Sequence, residues 1–108
     1  MKFPTEIFGD VVVVHTPDDI NEDFADNFSM FLTSLDQHKV IVDLDGTESF
    51  KNEGLEALLD AQDALRVRQG DLKVMTSSNV NRKILEITRL DHQIEVFDSV
   101  IDAVKSFV

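Results

Sequence analysis

The sequence predicts an α/β fold, a single layer of about five mostly parallel strands with about four helices in the order ββαβαβαβα. Three observations predict it. Val40-Ile41-Val42-Asp43-Leu44 is a short, almost wholly apolar run, the pattern of a parallel strand covered on both faces. The stretches between such runs carry apolar residues at helical spacing instead. Only the first two strand-like runs are joined by a tight turn, Gly9-Asp10, so only they can form a hairpin. The others need crossovers, which in parallel sheets are right-handed.

Taken in order, Phe3 to Phe8 reads as the first strand and Val11-Val12-Val13-Val14-His15 as the second, ended by Thr16-Pro17-Asp18-Asp19. Ile20, Phe24, Phe28, Phe31, Leu32 and Leu35 then recur as one buried stripe on a helix from about Asn21 to Asp36. Asn21, Glu22 and Asp23 suit its start. The phenylalanine stripe could line a pocket, but at this spacing it reads as core.

Val40 to Leu44 is the third strand, broken by Asp45-Gly46. A second helix starts near Asn52, read as its N-cap, with Glu53 and Glu56 near the positive end of the helix dipole. Its core residues are Leu55, Leu58, Leu59 and Leu65, with Ala61 at close contacts. Arg66 and Arg68 complement its C-terminus, and Gly70 is read as a left-handed stop. Leu72 to Thr76 is the fourth strand. Ser77-Ser78-Asn79 caps a third helix with Val80, Ile84 and Ile87 as core positions, ending near Leu90. Ile94 to Phe97 is the fifth strand. Asp98-Ser99 caps a last helix with Val100, Val104 and Phe107 on one face, Asp102 completing a Ser-x-x-Asp box.

Bulk properties bound the function. With 108 residues, 43% of them hydrophobic, the chain reads as one domain, 1–108, able to build a core without metal or disulfide. The absence of cysteine excludes a disulfide framework, a thiol nucleophile and a cysteine-based zinc site. Ten Lys+Arg against 21 Asp+Glu give a net charge of -11. Such a chain repels phosphate backbones and anionic membrane surfaces, so neither nucleic acid nor membrane is an expected partner. The charge serves solubility or a basic partner surface. The longest apolar run, Val11 to Val14, is far too short to span a bilayer, and the N-terminus carries no apolar signal core. A cytoplasmic protein is expected.

In open α/β sheets, ligands and partners meet the protein at the carboxyl ends of strands. The stretch from Val40 through Asp45-Gly46-Thr47-Glu48-Ser49-Phe50-Lys51-Asn52-Glu53-Gly54 to Leu55 is therefore the first place to look for a site. The element order, the length and this stretch resemble the STAS domain, the fold of bacterial anti-sigma factor antagonists. In that family an apolar-apolar-apolar-Asp-Leu strand leads through a short loop to an acidic-Ser-Ser-Gly-Leu segment opening a helix. Val40-Ile41-Val42-Asp43-Leu44 matches the strand, and Gly54-Leu55 the helix start. Ile94-Glu95-Val96-Phe97-Asp98-Ser99 with Ile101-Asp102-Ala103-Val104 is similar to the family's final strand and helix.

The resemblance implies a non-enzymatic protein-interaction module in a partner-switching pathway, without cofactor, whose partner is an anti-sigma factor or related ATP-binding kinase. The implied contact surface combines the Thr47 to Glu53 loop, the exposed face of the second helix and the Pro17 to Ile20 turn. Its residues are Asp43, Glu48, Lys51, Asn52, Glu53, Asp18 and Asp19, with Asp43 orienting the loop rather than touching a partner. A structural subunit of a transport or signalling complex is the competing role, and a homodimer is compatible with either.

The sequence departs from the family at the switch. Lys51-Asn52-Glu53-Gly54 stands where the family has acidic-Ser-Ser-Gly, so Asn52 occupies the phosphoacceptor position. Asparagine cannot take the phosphoryl group that breaks the partner interface in the family. Three readings follow: plain capping by Asn52 with a dipole-friendly acid, a binder locked in its unphosphorylated state, or Glu53 as a permanent substitute for the phosphate. Thr47 and Ser49 are displaced phosphosites or simply loop residues. The family's glycine-containing turn before the first helix is here Pro17-Asp18-Asp19-Ile20, whose acids disfavour a phosphate ligand.

Asp43-Leu44-Asp45-Gly46-Thr47 also fits the Asp-x-Asp-Gly-Thr signature of haloacid-dehalogenase-type phosphatases. Alternate residues leaving a strand could present Asp43 as nucleophile and Asp45 as general acid/base beside magnesium. Thr76 or Ser77 would then hold the phosphate, Lys83 stabilise charge and Asp98 ligate the metal. Against it, two strands and a helix precede a motif that normally opens its domain, and the loop to Asn52 leaves little room for a flap. His15, His38 and His92 have no ligand spacing, so a metal site is not expected. Ser77-Ser78-Asn79 could bind an anion at a helix start; capping explains it equally.

Overall fold

The computed structural model describes residues 3–108. Its elements run β1 (Thr5–Phe8), β2 (Val11–His15), β3 (Asp19–Ile20), α1 (Glu22–Thr33), β4 (Lys39–Asp43) and β5 (Ser49–Phe50). There follow α2 (Asn52–Val67), β6 (Asp71–Met75), α3 (Asn79–Ile87), a 3-10 turn at Leu90–His92, β7 (Val96–Phe97) and α4 (Val100–Lys105). The main sheet has the order β1-β2-β4-β6-β7, antiparallel only between β1 and β2. This is the expected α/β arrangement.

Alternation along the three inner strands divides the core in two. Val12, Val14, Val40, Val42, Leu72 and Val74 lie in register and join the cluster formed with α1, α2 and Leu85 of α3. The intervening Val11, Val13, Ile41 and Met75 form a smaller cluster with Ala103 of α4. Since each fully buried aliphatic contributes on the order of 1.5–3 kcal/mol, the period-2 pattern holds the strand register firmly. On the smaller face Lys73, 6% exposed, donates to Ser106 Oγ at 2.8 Å and lies 4.2 Å from the Phe107 ring centroid. This ties α4 to the sheet through a cation–π contact.

Helix α1 begins as the sequence indicates. Asn21 Oδ1 accepts from the Phe24 amide at 3.1 Å, the ordinary N-cap bond. Phe24, Phe28 and Leu32 are buried, and Phe3 meets the rings of Phe24, Phe28 and Phe31 edge-on. Phe3 thus turns into the core instead of starting the strand, which opens at Thr5. The helix stops at Thr33, short of Asp36; Ser34 caps it and bonds the Phe31 carbonyl.

Three local expectations need correction. Gly70 is not the left-handed residue after α2; Gln69 is, at φ 66°. Gly70 is needed because a β-carbon there would stand 2.7 Å from the His38 carbonyl carbon. Asn52 is not the N-cap of α2. That position is Lys51, which makes no side-chain cap bond. Finally, α3 is rotated from its apolar stripe: Val80 and Ile87 are 70% and 73% exposed, and Asn81 and Leu85 are buried in their place. The rotation follows from Asn81, whose amide finds two backbone acceptors inside.

Two further features are absent from the sequence pattern. Gln62 of α2 is buried and donates to the Gln93 carbonyl at 3.1 Å. Of the Ile94 to Phe97 strand only Val96–Phe97 is ladder-paired, while Ile94, 1% exposed, packs in the larger core. Among the described residues no helix is long and apolar enough to cross a membrane.

Candidate functional site

At the carboxyl end of the sheet, the segments that follow β2 and β4 are joined by the small parallel pair β3–β5, with Asp19 opposite Ser49 and Ile20 opposite Phe50. The amides of Glu48 and Ser49 donate to the Asp18 carbonyl at 2.8 and 3.0 Å, and the Lys51 amide to Ile20 at 3.0 Å. The Pro17 to Ile20 turn and the Thr47 to Glu53 loop are therefore one ledge. Neither two-residue strand is visible as a pattern, because period-2 alternation needs more residues to show.

The underside of this ledge is a polar network. Thr47 is 2% exposed; its hydroxyl lies 2.6 Å from that of Thr16 and donates to the Pro17 carbonyl at 2.6 Å. Asn81 Nδ2 donates to the carbonyls of Leu44 at 3.0 Å and Thr47 at 3.1 Å. Asp43 Oδ2 is 3.0 Å from His15 Nδ1, and its Oδ1 accepts from the Asp45 amide at 2.9 Å. His15 Nε2 in turn contacts Glu6 at 2.8 Å. Buried backbone carbonyls are costly to leave unpaired, so these side chains fix the loop.

Asp45 ties the ledge to the next crossover. Its carboxylate accepts from the Ser77 amide at 2.7 Å, the Ser77 hydroxyl at 2.8 Å and the Thr76 hydroxyl at 3.1 Å. Burial pushes its pKa up, but the bonds from Ser77 and Thr76 outweigh that and leave it below the usual carboxylate range.

The upper surface is different. Asp18, Glu48, Lys51, Asn52 and Glu53 are all exposed and come together around the start of α2. With Lys51 as an N-cap lacking a side-chain bond, the Asn52 and Glu53 amides in the first turn of α2 have no hydrogen-bond partner among the described residues, while the Gly54 amide donates to the Lys51 carbonyl at 3.1 Å. Asn52 is its first helical residue, and its side chain makes no hydrogen bond among the described residues. Gly54 follows, pressed against the backbone of Ile20. Asp19 is half-buried; its Oδ2 accepts from Asn21 at 2.9 Å and its buried Oδ1 has no partner. Asp43, with its side chain 12% exposed, belongs to the underside, where it accepts from the Asp45 amide and faces His15.

The phosphatase arrangement does not assemble. Asp45 is engaged by the two residues meant to hold the phosphate, and Lys83 lies on the exposed side of α3, 3.9 Å from Glu86. Among the described residues no group of three or more His, Asp or Glu is placed to hold a metal ion.

Comparison with known families matches residues 2–103 to the family model described as "STAS domain". Among solved structures, a Thermotoga maritima protein described as a candidate anti-sigma factor antagonist superposes with a TM-score of 0.83 at 20% identity, over 96% of this chain and 92% of that one. An anti-sigma factor antagonist from Mycobacterium paratuberculosis gives 0.80 at 18% identity, over 97% and 92%. A sulfate transporter family protein from Wolinella succinogenes gives 0.77 at 17%, over 94% and 87%. At these identities the likeness establishes the fold. Comparison with curated protein sequences returns no match.

Proposed function

Because the chain belongs to the STAS domain family, we propose that it is a non-enzymatic interaction module of the anti-sigma factor antagonist type, one domain over 1–108. Its partner is an anti-sigma factor or related ATP-binding kinase, met by Asp18, Glu48, Lys51, Asn52 and Glu53. The observation that supports this most is Asn52. Its exposed side chain caps nothing, so helix stability does not account for an asparagine there.

On this reading Asn52 keeps the surface in its unphosphorylated state. A serine would expose the interface to a dianion; an amide cannot accept one. The position of Asn52 at the exposed first turn, where an incoming phosphate would meet helix amides, is consistent with a switch site that has lost its acceptor. Thr47, enclosed and already donating its hydroxyl proton, is a poor substitute acceptor.

The test is affinity capture by the full chain, with and without ATP, recording the intact mass of the bait. An ATP-binding partner retained with the bait unmodified, and lost from Lys51→Ala/Glu53→Ala, is the expected result. Asn52→Ser should then make the bait heavier by one phosphate in the presence of that partner and ATP. Equal retention by the double variant would remove the ledge from the interface. The likeness to a sulfate transporter family protein favours the second role, a structural subunit of a transport complex, and recovery of membrane transport components would support that role.

A further inference from the structure

Helices α1 and α2 lie side by side over the larger core, and between their outer faces runs an open groove of about 400 Å³. Its wall is built from small residues. Ala25 of α1 and Ala57, Ala61 and Ala64 of α2 line it, above Leu32 and Leu65. Positions 57, 61 and 64 repeat at the spacing of one helix face, so a strip of methyl groups replaces the long side chains that usually cover such a seam.

The rim has the opposite character. Glu22 and Asp26 on one side and Glu53, Glu56 and Asp60 on the other carry five carboxylates, against Arg68 alone at the far end. None of the five makes an ion pair within the described chain. An apolar floor between two rows of uncompensated acid is complementary to one kind of ligand surface, an apolar stripe flanked by lysine or arginine. A helix supplies that stripe, and alanine walls allow its backbone to come close. The chain's Arg68 gives the groove a polarity, favouring basic residues toward Glu22 and Glu53 and an acid toward Arg68.

We infer that the α1–α2 groove is a docking site for a basic amphipathic helix of a partner protein. It shares only Glu53 with the ledge around Asn52, so it stands or falls separately from the function proposed there.

The alanines make the test direct, because four of the five in the chain line this groove and the fifth, Ala103, is buried on the opposite face of the sheet. Full-length protein labelled at alanine methyl groups is titrated, at low salt, with a synthetic Lys/Leu peptide patterned as an amphipathic helix. A second peptide has the same composition in scrambled order. Saturable shifts at Ala25, Ala57, Ala61 and Ala64, with Ala103 unmoved and the scrambled peptide inert, are expected. Asp26→Lys/Asp60→Lys should weaken binding by at least about tenfold. Ala64→Trp, at an exposed position that leaves the core untouched, should block it by filling the groove. Ile101→Ser, at an exposed position of α4 on the opposite side of the sheet, should change nothing. Equal binding of the scrambled peptide, shifts confined elsewhere, or no saturation at millimolar peptide would each overturn the inference.

Discussion

Gly54 rests directly on the backbone of Ile20: a β-carbon on Gly54 would stand 2.7 Å from the Ile20 carbonyl carbon and would collide with its oxygen. In an ordinary helix Gly→Ala stabilises by roughly 0.8–1 kcal/mol. Here the sign should reverse, because α2 must back away from β3. Gly54→Ala is expected to lose about 1–3 kcal/mol, the usual penalty for forcing atoms into packed space. Urea unfolding reads the difference, and a rise in midpoint would show that the contact is not as close as described.

Asn81 is the second test of the ledge. It is 4% exposed and its amide serves both Leu44 and Thr47. Asn81→Leu keeps the size and strands the Thr47 carbonyl, while the Leu44 carbonyl keeps the Thr47 amide at 2.9 Å, at a cost of about 1–3 kcal/mol for the lost pairing. Asn81→Leu should therefore unfold at clearly lower denaturant. If it matched the parent in stability, water or a shifted loop would have to satisfy the Thr47 carbonyl instead.

Asp45 predicts a pH dependence. Its folded pKa lies below the unfolded value, so its contribution is present above the unfolded pKa and is lost as pH falls through the folded one. Removing that titration in Asp45→Asn should lower stability at neutral pH and flatten the fall in stability below about pH 4. Thermal midpoints of the two proteins from pH 2.5 to 7, as a rough working range, should converge at the acid end. Parallel curves would mean that Asp45 is not held as described.

The rotation of α3 separates two classes of substitution. Val80→Ser and Ile87→Ser should each change stability by no more than about 0.5 kcal/mol, as exposed positions do. Leu85→Ala, at 0% exposure, should cost about 2–5 kcal/mol. Comparable losses at all three positions would return α3 to the orientation its sequence suggests.

That helix shows where sequence reading fails. Strands β2 and β4 were legible because burial on both faces leaves an almost uninterrupted apolar run, and β6 from Leu72, Val74 and Met75 around the one charged residue Lys73. Helix α1 was legible from Phe24, Phe28 and Leu32 with Asn21 ahead of them. In α3 the most apolar stripe, Val80-Ile84-Ile87, is not the buried one, since Asn81 wins the inside position through hydrogen bonds that no periodicity records. The candidate site divides in the same way. The exposed set Glu48, Lys51, Asn52 and Glu53 falls within one short stretch of chain, so the sequence alone shows that these residues are neighbours. Its supports Thr16, His15, Ser77 and Asn81 come from other strands and helices, and only the folded chain brings them to it.

The unequal division of the core carries a dynamic consequence. One face of the sheet is covered by three helices, the other by α4 alone, held through Ala103, the Phe107 ring and the Lys73 ammonium. Detaching α4 exposes far less apolar surface than disrupting α1 and α2, so a partial opening that frees α4 lies below global unfolding in free energy. Amide protons of Ala103 to Lys105 should then exchange with deuterium well before those of Val40 to Val42. The ledge and the groove both sit on the side that stays closed.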